Sequence, residues 1–164
     1  MKDAIGFIVG GGEVRRYHTM FTIQQETVGH HSHAVACLVL LLNPEARREL
    51  LMAALYHDLA EQHTGDIPSP AKREYGIGEQ VADLEMRLIN AAGLTWPDLY
   101  ESEERVLKLA DLAHGALSCA REMSLGNRRM EAVFNRFMGY AKNMNLQNQE
   151  ETLFDAIEEI ARGC

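Results

Sequence analysis

The dipeptide His57-Asp58 lies near the end of a long apolar run that begins at Leu50. An ionised aspartate is costly to bury unless a cation or another opposite charge accompanies it. Adjacent imidazole and carboxylate ligands suit Zn, Mn, Fe or Co ions, so the pair could belong to a metal site. An isolated His-Asp pair is more often part of an ordinary ion pair or a solvated edge than of a metal site, so further residues have to decide between these interpretations.

Two other parts of the chain supply matching residue types. The run His30-His31-Ser32-His33 precedes an apolar stretch, and Asp111 lies inside the apolar run that follows Leu107. Together with His57-Asp58 they form a separated set of histidine, histidine-aspartate and aspartate. Such a set can bind a divalent cation if the fold brings its members together.

Helical spacing dominates the chain, and no segment shows sustained alternation with a period of two. The sequence therefore predicts an all-α fold, a helical bundle. After a short first helix that ends at the glycine run 10–12, helices are predicted over about 28–42, 44–63, 79–92, 102–125, 127–143 and 149–162. The segment 14–23 is predicted to be extended or irregular, and 64–78 is predicted to be a structured loop.

Local signals set several of these boundaries. Asn43 and Pro44 suit the N-cap and first position of a helix, and Gly65, Gly93 and Gly126 suit left-handed C-caps. A continuous helix over 44–63 would place His57, Asp58 and Glu61 on one face, because steps of three and four residues return to the same side.

Composition narrows the possible partners. The chain of 164 residues is expected to form one domain. Its 16 basic and 24 acidic side chains give a net charge of −8, which argues against binding to polymeric nucleic acid or an anionic membrane. Three widely spaced cysteines exclude a disulfide framework. With no signal-peptide pattern and no long apolar span, the prediction is a reduced, cytoplasmic protein, in a host cytoplasm if it is phage-encoded.

Five motifs in one order resemble a known family. They are Arg16-Tyr17, the segment 26–32 (ETVGHHS), the segment 57–61 (HDLAE), the segment 64–72 (TGDIPSPAK) and the segment 108–111 (KLAD). This arrangement, over about residues 14–125, resembles the HD-domain metal-dependent phosphohydrolases. The finer match is to small all-α members that hydrolyse deoxynucleotides: the YfbR-type 5′-deoxynucleotidases and the small phage deoxynucleoside triphosphate triphosphohydrolases.

The resemblance implies a metal site. Position by position, the implied ligands are His31, His57, Asp58 and Asp111. His31 fills the family's His-Ser pair, but the preceding residue, usually acidic in the family, is His30, which leaves His30 as the alternative ligand. The implied cofactor is a divalent metal ion: Co, Mn, Zn or Fe.

The resemblance also implies two catalytic residues. Glu61 takes the acid/base position in the His-Asp-x-x-Glu motif, and Asp66 takes a position that contacts the sugar or assists catalysis. His114 follows Asp111 by three residues and could orient that carboxylate, although an exposed helical histidine is the equal alternative.

The substrate site implied by the resemblance is cationic on its phosphate side. Its residues are Arg16 (with Arg15 as the alternative), Tyr17, Pro70, Lys72 and Lys108. The arginine and the two lysines would bind phosphate. The tyrosine stands where the family often has tryptophan, next to the base or sugar, and the proline would help to shape the base pocket.

The implied reaction is hydrolysis at the α-phosphorus of a deoxynucleotide, which releases the deoxynucleoside. A triphosphohydrolase acting on a substrate such as dATP is favoured, and a 5′-deoxynucleotidase acting on monophosphates is the alternative. Two other readings stay open: a catalytically silent nucleotide sensor, and a redox enzyme with a di-iron site. A homo-oligomer, dimer or larger, is expected from the family and from the Met- and Phe-rich faces over 130–138 and 153–160.

Overall fold

The fold is a bundle of helices. The computed structural model describes residues 1–163. Its helices are α1 (Lys2–Gly12), α2 (Val28–Leu42), α3 (Arg48–Tyr56), α4 (Glu61–Thr64), α5 (Ser69–Glu74), α6 (Gly78–Ala91), α7 (Glu101–Ser124), α8 (Glu131–Lys142) and α9 (Asn148–Arg162), with a 3₁₀ turn at Arg128–Met130. Within these residues there is no strand, only an isolated antiparallel bridge between Arg15 and Thr27. The all-α prediction is confirmed.

Helix α7 is the centre of the bundle. One part of it packs against α8 and α9, where Phe134, Met138, Phe154 and Ile157 are buried. The Met- and Phe-rich faces therefore contribute mainly to the core of this chain, and they no longer support the expected oligomer, which stays a prediction. No helix among the described residues is long and apolar enough to cross a membrane.

Helix α2 carries a buried histidine into the core. Thr27 is its N-cap, and the side chain of Thr27 accepts a hydrogen bond from the backbone N–H of His30. The buried stripe of α2 includes Val28, His31 and Val35, which share one face because they are spaced by three and four residues. This stripe packs against α7, so that His31 becomes fully buried between the two helices.

The predicted helix over 44–63 is wrong. Helix α3 begins only at Arg48 and ends at Tyr56, and residues 57–60 form a turn that leads into α4. In this turn, Leu59 and Ala60 are buried against Phe7 of α1 and Ile89 of α6. Tertiary burial of the turn outweighs the local helix propensity of the run, and His57 and Asp58 therefore lie on a turn.

The glycine run 10–12, where the first helix was predicted to end, forms the last turn of α1. A Cβ on Gly11 would lie 2.6 Å from the carbonyl oxygen of Leu59, and a Cβ on Gly29 would lie 3.0 Å from the carbonyl oxygen of Gly12. Only glycine lets these backbones approach so closely. The run thus packs α1 directly against the turn that bears His57 and Asp58.

The remaining boundaries agree with the sequence to within a few residues, with two exceptions. The predicted loop 64–78 contains the short helix α5, and the predicted helix over 127–143 begins as a 3₁₀ turn. Gly65, Gly93 and Gly126 all have positive φ, at 71°, 79° and 99°, as expected for residues that end helices.

Candidate active site

Side chains from three elements meet here: His31, His57 and Asp58 form one close group, and Asp111 contacts this group through His31. His31 comes from α2, His57 and Asp58 from the turn after α3, and Asp111 from α7. The Nε2 atom of His31 lies 3.0 Å from Nε2 of His57, and 3.4 Å from both Asp58 Oδ2 and Asp111 Oδ1. His57 Nε2 is also 3.4 Å from Asp58 Oδ2.

The hydrogen bonds of this cluster leave ligand atoms free for a cation. His57 Nδ1 lies 2.9 Å from the carbonyl oxygen of Ala54, which can only accept, so Nδ1 of the neutral ring carries the proton. The Nε2 atom of His57 then presents a lone pair to His31 and Asp58. Ligand atoms of these three residues lie within 4.8 Å of one another. Two imidazoles and a carboxylate in this arrangement fit a divalent metal ion.

Both aspartates are held ionised. Burial opposes ionisation of Asp58, but nearby positive charge, including that of Arg16, outweighs it and lowers the pKa of Asp58 below its usual value. Burial opposes ionisation of Asp111 in the same way, and the nearby ammonium group of Lys108 outweighs it and lowers the pKa of Asp111 well below the usual value. Ionised carboxylates are the form that binds metal.

Arg16 bridges two carboxylates. Its Nη1 atom donates to Asp58 Oδ2 at 2.6 Å, and its Nε atom lies 2.9 Å from Glu26 Oε1. The backbone explains the placement, because Arg16 N–H donates to the carbonyl of Glu26 beside the bridge between Arg15 and Thr27. Arg15, the alternative phosphate contact, is exposed.

Glu61 is a buried acid with a raised pKa. The residue is 5% exposed, and its Oε2 atom is buried without a hydrogen-bond partner among the described residues. Burial, together with the negative charges of Asp58 and Asp66, raises the pKa of Glu61 to about 9. Glu61 therefore carries a proton at neutral pH, which the sequence did not predict.

Asp66 and Tyr17 are joined through the backbone. Asp66 Oδ2 accepts a hydrogen bond of 2.9 Å from the backbone N–H of Tyr17, whose φ is +56°. A non-glycine residue in this region is strained, and the bond to Asp66 stabilises it. The ring of Tyr17 packs against the core and lines a cavity of about 480 Å³.

The remaining substrate residues differ in their surroundings. Lys72 Nζ lies 3.7 Å from Glu85 Oε1, and Lys108 Nζ donates to Asp111 Oδ2 at 2.7 Å. Pro70 is exposed in the first turn of α5. Each predicted phosphate-binding cation is thus paired with at least one carboxylate.

The histidines near the site differ in burial and in contacts. His30 is exposed and lies outside the cluster around Asp58, whereas the buried His31 belongs to it. His114 Nδ1 lies 2.8 Å from His31 Nδ1, so His114 contacts the histidine and not the Asp111 carboxylate considered from the sequence. Burial lowers the pKa of His114 to about 4, against the opposing effect of Glu26.

Two acids of the site were assigned no role from the sequence. Glu26 contacts Arg16 and accepts a hydrogen bond from Ser118. Glu85 lies beside Lys72, and burial raises its pKa. Glu26 stands within one of the recognised motifs, so its position was a usable signal, while Glu85 was placed only by the packing of α6.

A family model described as 5′-deoxynucleotidase YfbR-like matches residues 12–159. This chain belongs to that family. The match covers the whole site, from Arg16 to Asp111, together with α2 to α8 and most of α9. The family's description names the hydrolysis of deoxynucleotides, so this YfbR-like protein is a deoxynucleotide phosphohydrolase. Its His/Asp cluster suits a divalent metal ion.

Similar proteins agree with this placement. The 5′-deoxynucleotidases YfbR of Salmonella arizonae and Salmonella paratyphi B are each 26% identical to this chain, over 84% of its length and 80% of theirs. The cyanophage S-2L HD phosphohydrolase DatZ, solved with dA and one catalytic Zn²⁺ ion, has a TM-score of 0.69 at 16% identity, over 97% of this chain and 96% of that one. The PH0347 protein of Pyrococcus horikoshii has a TM-score of 0.65 at 20% identity, over 99% of both chains. These structural likenesses identify the HD-type fold.

Proposed function

We propose that this YfbR-like protein cleaves the bond between the α-phosphorus and the 5′-oxygen of 2′-deoxynucleotides, with His31, His57, Asp58 and Asp111 as the ligands of a divalent metal ion. The convergence of these four side chains, two of them ionised carboxylates, is the observation that carries the proposal. A bound divalent cation would supply an acidified water molecule and polarise a phosphoryl oxygen.

Glu61 is the proton donor for the leaving group in this proposal. With a pKa of about 9 it is protonated at neutral pH, and its buried Oε2 atom has no competing hydrogen bond among the described residues. When water adds to phosphorus, the bond from phosphorus to O5′ breaks and the proton of Glu61 passes to O5′. The products are the deoxynucleoside and the phosphate part, and Glu61 regains its proton from water.

The basic residues neutralise the phosphate. Arg16 lies between Asp58 and Glu26, where its guanidinium can contact phosphoryl oxygens near the metal ligands. Lys72 and Lys108 contribute further positive charge at the edge of the site. Asp66 fixes the backbone of Tyr17 and so shapes the wall for the sugar and base. Pro70, in the first turn of α5, is the other residue that the proposal assigns to the base.

A monophosphate is the first candidate substrate. The family and its YfbR relatives carry the name 5′-deoxynucleotidase. The charges agree, because the three basic residues are each paired with a carboxylate and have little spare charge for the longer, more negative triphosphate.

A triphosphohydrolase that releases intact triphosphate is the second candidate. The fold likeness to the phage DatZ protein supports it. So does Lys108, whose side chain is 57% exposed and can therefore turn from Asp111 towards further phosphate groups.

The deciding experiment incubates the purified protein with Mn²⁺ or Co²⁺ and either dAMP or dATP, with AMP as the ribose control. Phosphate released from dAMP supports the first candidate, and intact triphosphate released from dATP supports the second. Binding without turnover of either nucleotide would favour a silent sensor and overturn both.

Asp58→Asn tests the metal site, and Asp83→Asn is its matched control. Asp83 is an exposed acid of α6 that pairs with Arg87, remote from the cluster. We expect the first variant to lose bound metal and nearly all turnover, and the second to retain both. Full activity and metal content in Asp58→Asn would contradict the proposal.

A further inference from the structure

Helix α7 contacts both nitrogens of one imidazole ring. Asp111 Oδ1 lies 3.4 Å from Nε2 of His31, and His114 Nδ1 lies 2.8 Å from Nδ1 of the same ring. The two residues are three apart in α7, so they occupy the same face of the helix. The His31 ring is fully buried between them.

The hydrogen bond between the two histidines determines the position of a proton. Two nitrogens 2.8 Å apart with no cation between them must share one hydrogen, since two lone pairs at that distance repel. The 3.0 Å pair of His31 Nε2 and His57 Nε2 differs, because both atoms would face the proposed metal ion. If His31 Nδ1 carries it, His31 Nε2 has a free lone pair that faces Asp58 and Asp111. If His114 Nδ1 carries it instead, the neutral His31 ring has a proton on Nε2 and cannot bind a metal ion through that atom.

We propose that His114 is a positioning residue, whose Nδ1 accepts the hydrogen bond from His31 Nδ1–H and so directs the Nε2 lone pair of His31 towards the metal site. This inference rests on the metal site of the proposed function. Hydrogen-bond partners of this kind set the tautomer and ring orientation of metal-bound histidines.

A carboxylate lies beside the His114 ring and belongs to the same network of contacts. Ligand atoms of Glu26, His31 and His114 lie within 4.8 Å of one another, so a negative charge stands beside the His114 ring. Glu26 is itself held by Ser118, one turn beyond His114 in α7, and by Arg16. Arg16 in turn contacts Asp58, which closes a ring of contacts around the metal site.

The test measures metal affinity of the full chain in the absence of substrate. Metal-free protein is titrated with Zn²⁺ in competition with a chromophoric chelator, for wild type, His114→Ala, His114→Asn and His31→Ala. The Asn side chain offers an acceptor oxygen near the place of the histidine Nδ1 atom. We expect His114→Ala to weaken Zn²⁺ affinity about 10- to 100-fold, and His114→Asn to recover most of it.

His33→Asn is the matched control, because His33 is an exposed histidine of α2 outside the cluster around His31. It should bind Zn²⁺ like wild type. At saturating metal, kcat of His114→Ala should return close to wild type, since a positioning residue acts through affinity. Thermal unfolding of the metal-free variants identifies any loss that comes from misfolding.

Unchanged affinity in His114→Ala, with weakened affinity in His31→Ala, would overturn the positioning role and leave the proposed function intact. Equal losses in His114→Ala and His114→Asn would overturn it as well, because the acceptor atom would then be irrelevant. Unchanged affinity in His31→Ala would instead refute the metal site on which both proposals depend.

Discussion

Glu61 and Glu122 are two glutamates with the same exposure, 5% each, and with opposite acid strengths. The pKa of Glu61 is raised to about 9, while that of Glu122 is lowered although burial alone would raise it. Burial therefore does not by itself decide the charge of a buried acid in this protein. Burial is the largest cause of the raised pKa of Glu61, whereas hydrogen-bond donors outweigh burial at Glu122.

The partners of Glu122 are hydrogen-bond donors. Its carboxylate accepts bonds of 2.7 Å from the backbone N–H groups of Ile23 and Gln24, and one of 2.8 Å from Asn127 Nδ2. These bonds fasten the irregular segment before α2 to the end of α7. Glu61 has two acids, Asp58 and Asp66, among its main influences instead. The satisfied carboxylate of Glu122 anchors structure, and the unsatisfied Glu61 keeps the proton that the proposed mechanism uses.

The largest expected effect is on turnover by Glu61→Gln. Loss of the transferable proton should lower kcat by about 10²- to 10⁴-fold. The folded state should be unharmed, because the amide removes a group that is costly to ionise when buried. Steady-state kinetics with the better deoxynucleotide, beside urea unfolding, measures both. Unaltered kcat would show that Glu61 takes no part in the reaction. Glu61 and Glu122 would then differ only in how they affect stability.

Glu122→Gln should show the reverse pattern. An amide cannot accept all three hydrogen bonds, so a buried donor loses its partner and the free energy of unfolding should fall by about 1 to 3 kcal/mol. Turnover of the folded protein should stay near that of wild type. Urea unfolding and kinetics at a temperature below the transition check this, and a variant as stable as wild type would show that the three bonds anchor nothing.

The pH dependence of stability should separate the two acids in metal-free protein. Between the unfolded pKa of about 4.3 and about 9, folded Glu61 keeps a proton that the unfolded chain has lost, so its contribution makes stability fall as pH rises. Glu122, with its lowered pKa, contributes stability that is present above about pH 4.3 and is lost as pH falls through the folded value.

The two glutamine variants report on these opposite slopes. Glu61→Gln should flatten the decline between about pH 4.5 and 9, and Glu122→Gln should flatten the acid limb. Unfolding free energies measured across pH with a chelator present test both. Identical pH profiles in the two variants would contradict the contrast.

The smallest effect is expected for an exposed acid. Asp83 pairs with Arg87 four residues later on α6, and its side chain is 60% exposed. Asp83→Asn should cost about 0.3 to 0.5 kcal/mol and leave turnover unchanged. If urea unfolding showed a larger loss of unfolding free energy in Asp83→Asn than in Glu122→Gln, burial and hydrogen bonding would not distinguish Glu122 from an exposed acid.

Sequence patterns were sufficient where the signal is local. Helix α2 occupies the predicted residues 28–42, and α7 lies within one residue of the predicted 102–125 at each end. Gly126, which has positive φ, marks the end of α7 through a backbone preference that operates within a few residues. The predicted N-cap at Asn43 is wrong, because the next helix begins only at Arg48. The family was recognisable for the same reason, because each of its motifs lies within one short segment of the sequence.

Local patterns failed where distant segments meet. The run 50–60 has the composition of a helix, yet Gly11 of α1 packs against Leu59 and the chain turns at His57 and Asp58. The pairing of Arg16 with Asp58 joins residues 42 apart, and the contact of His114 with His31 joins residues 83 apart. No periodicity carries such information.

By itself, the sequence determined the all-α class, most helix boundaries and the residue types of a metal-dependent phosphohydrolase. Only the tertiary structure decided that Glu61 keeps its proton, that Glu122 loses its own and that His114 contacts His31. The physical reason is common to all three. The charge of a side chain depends on the groups within a few ångströms of it, and folding brings those groups from remote parts of the chain.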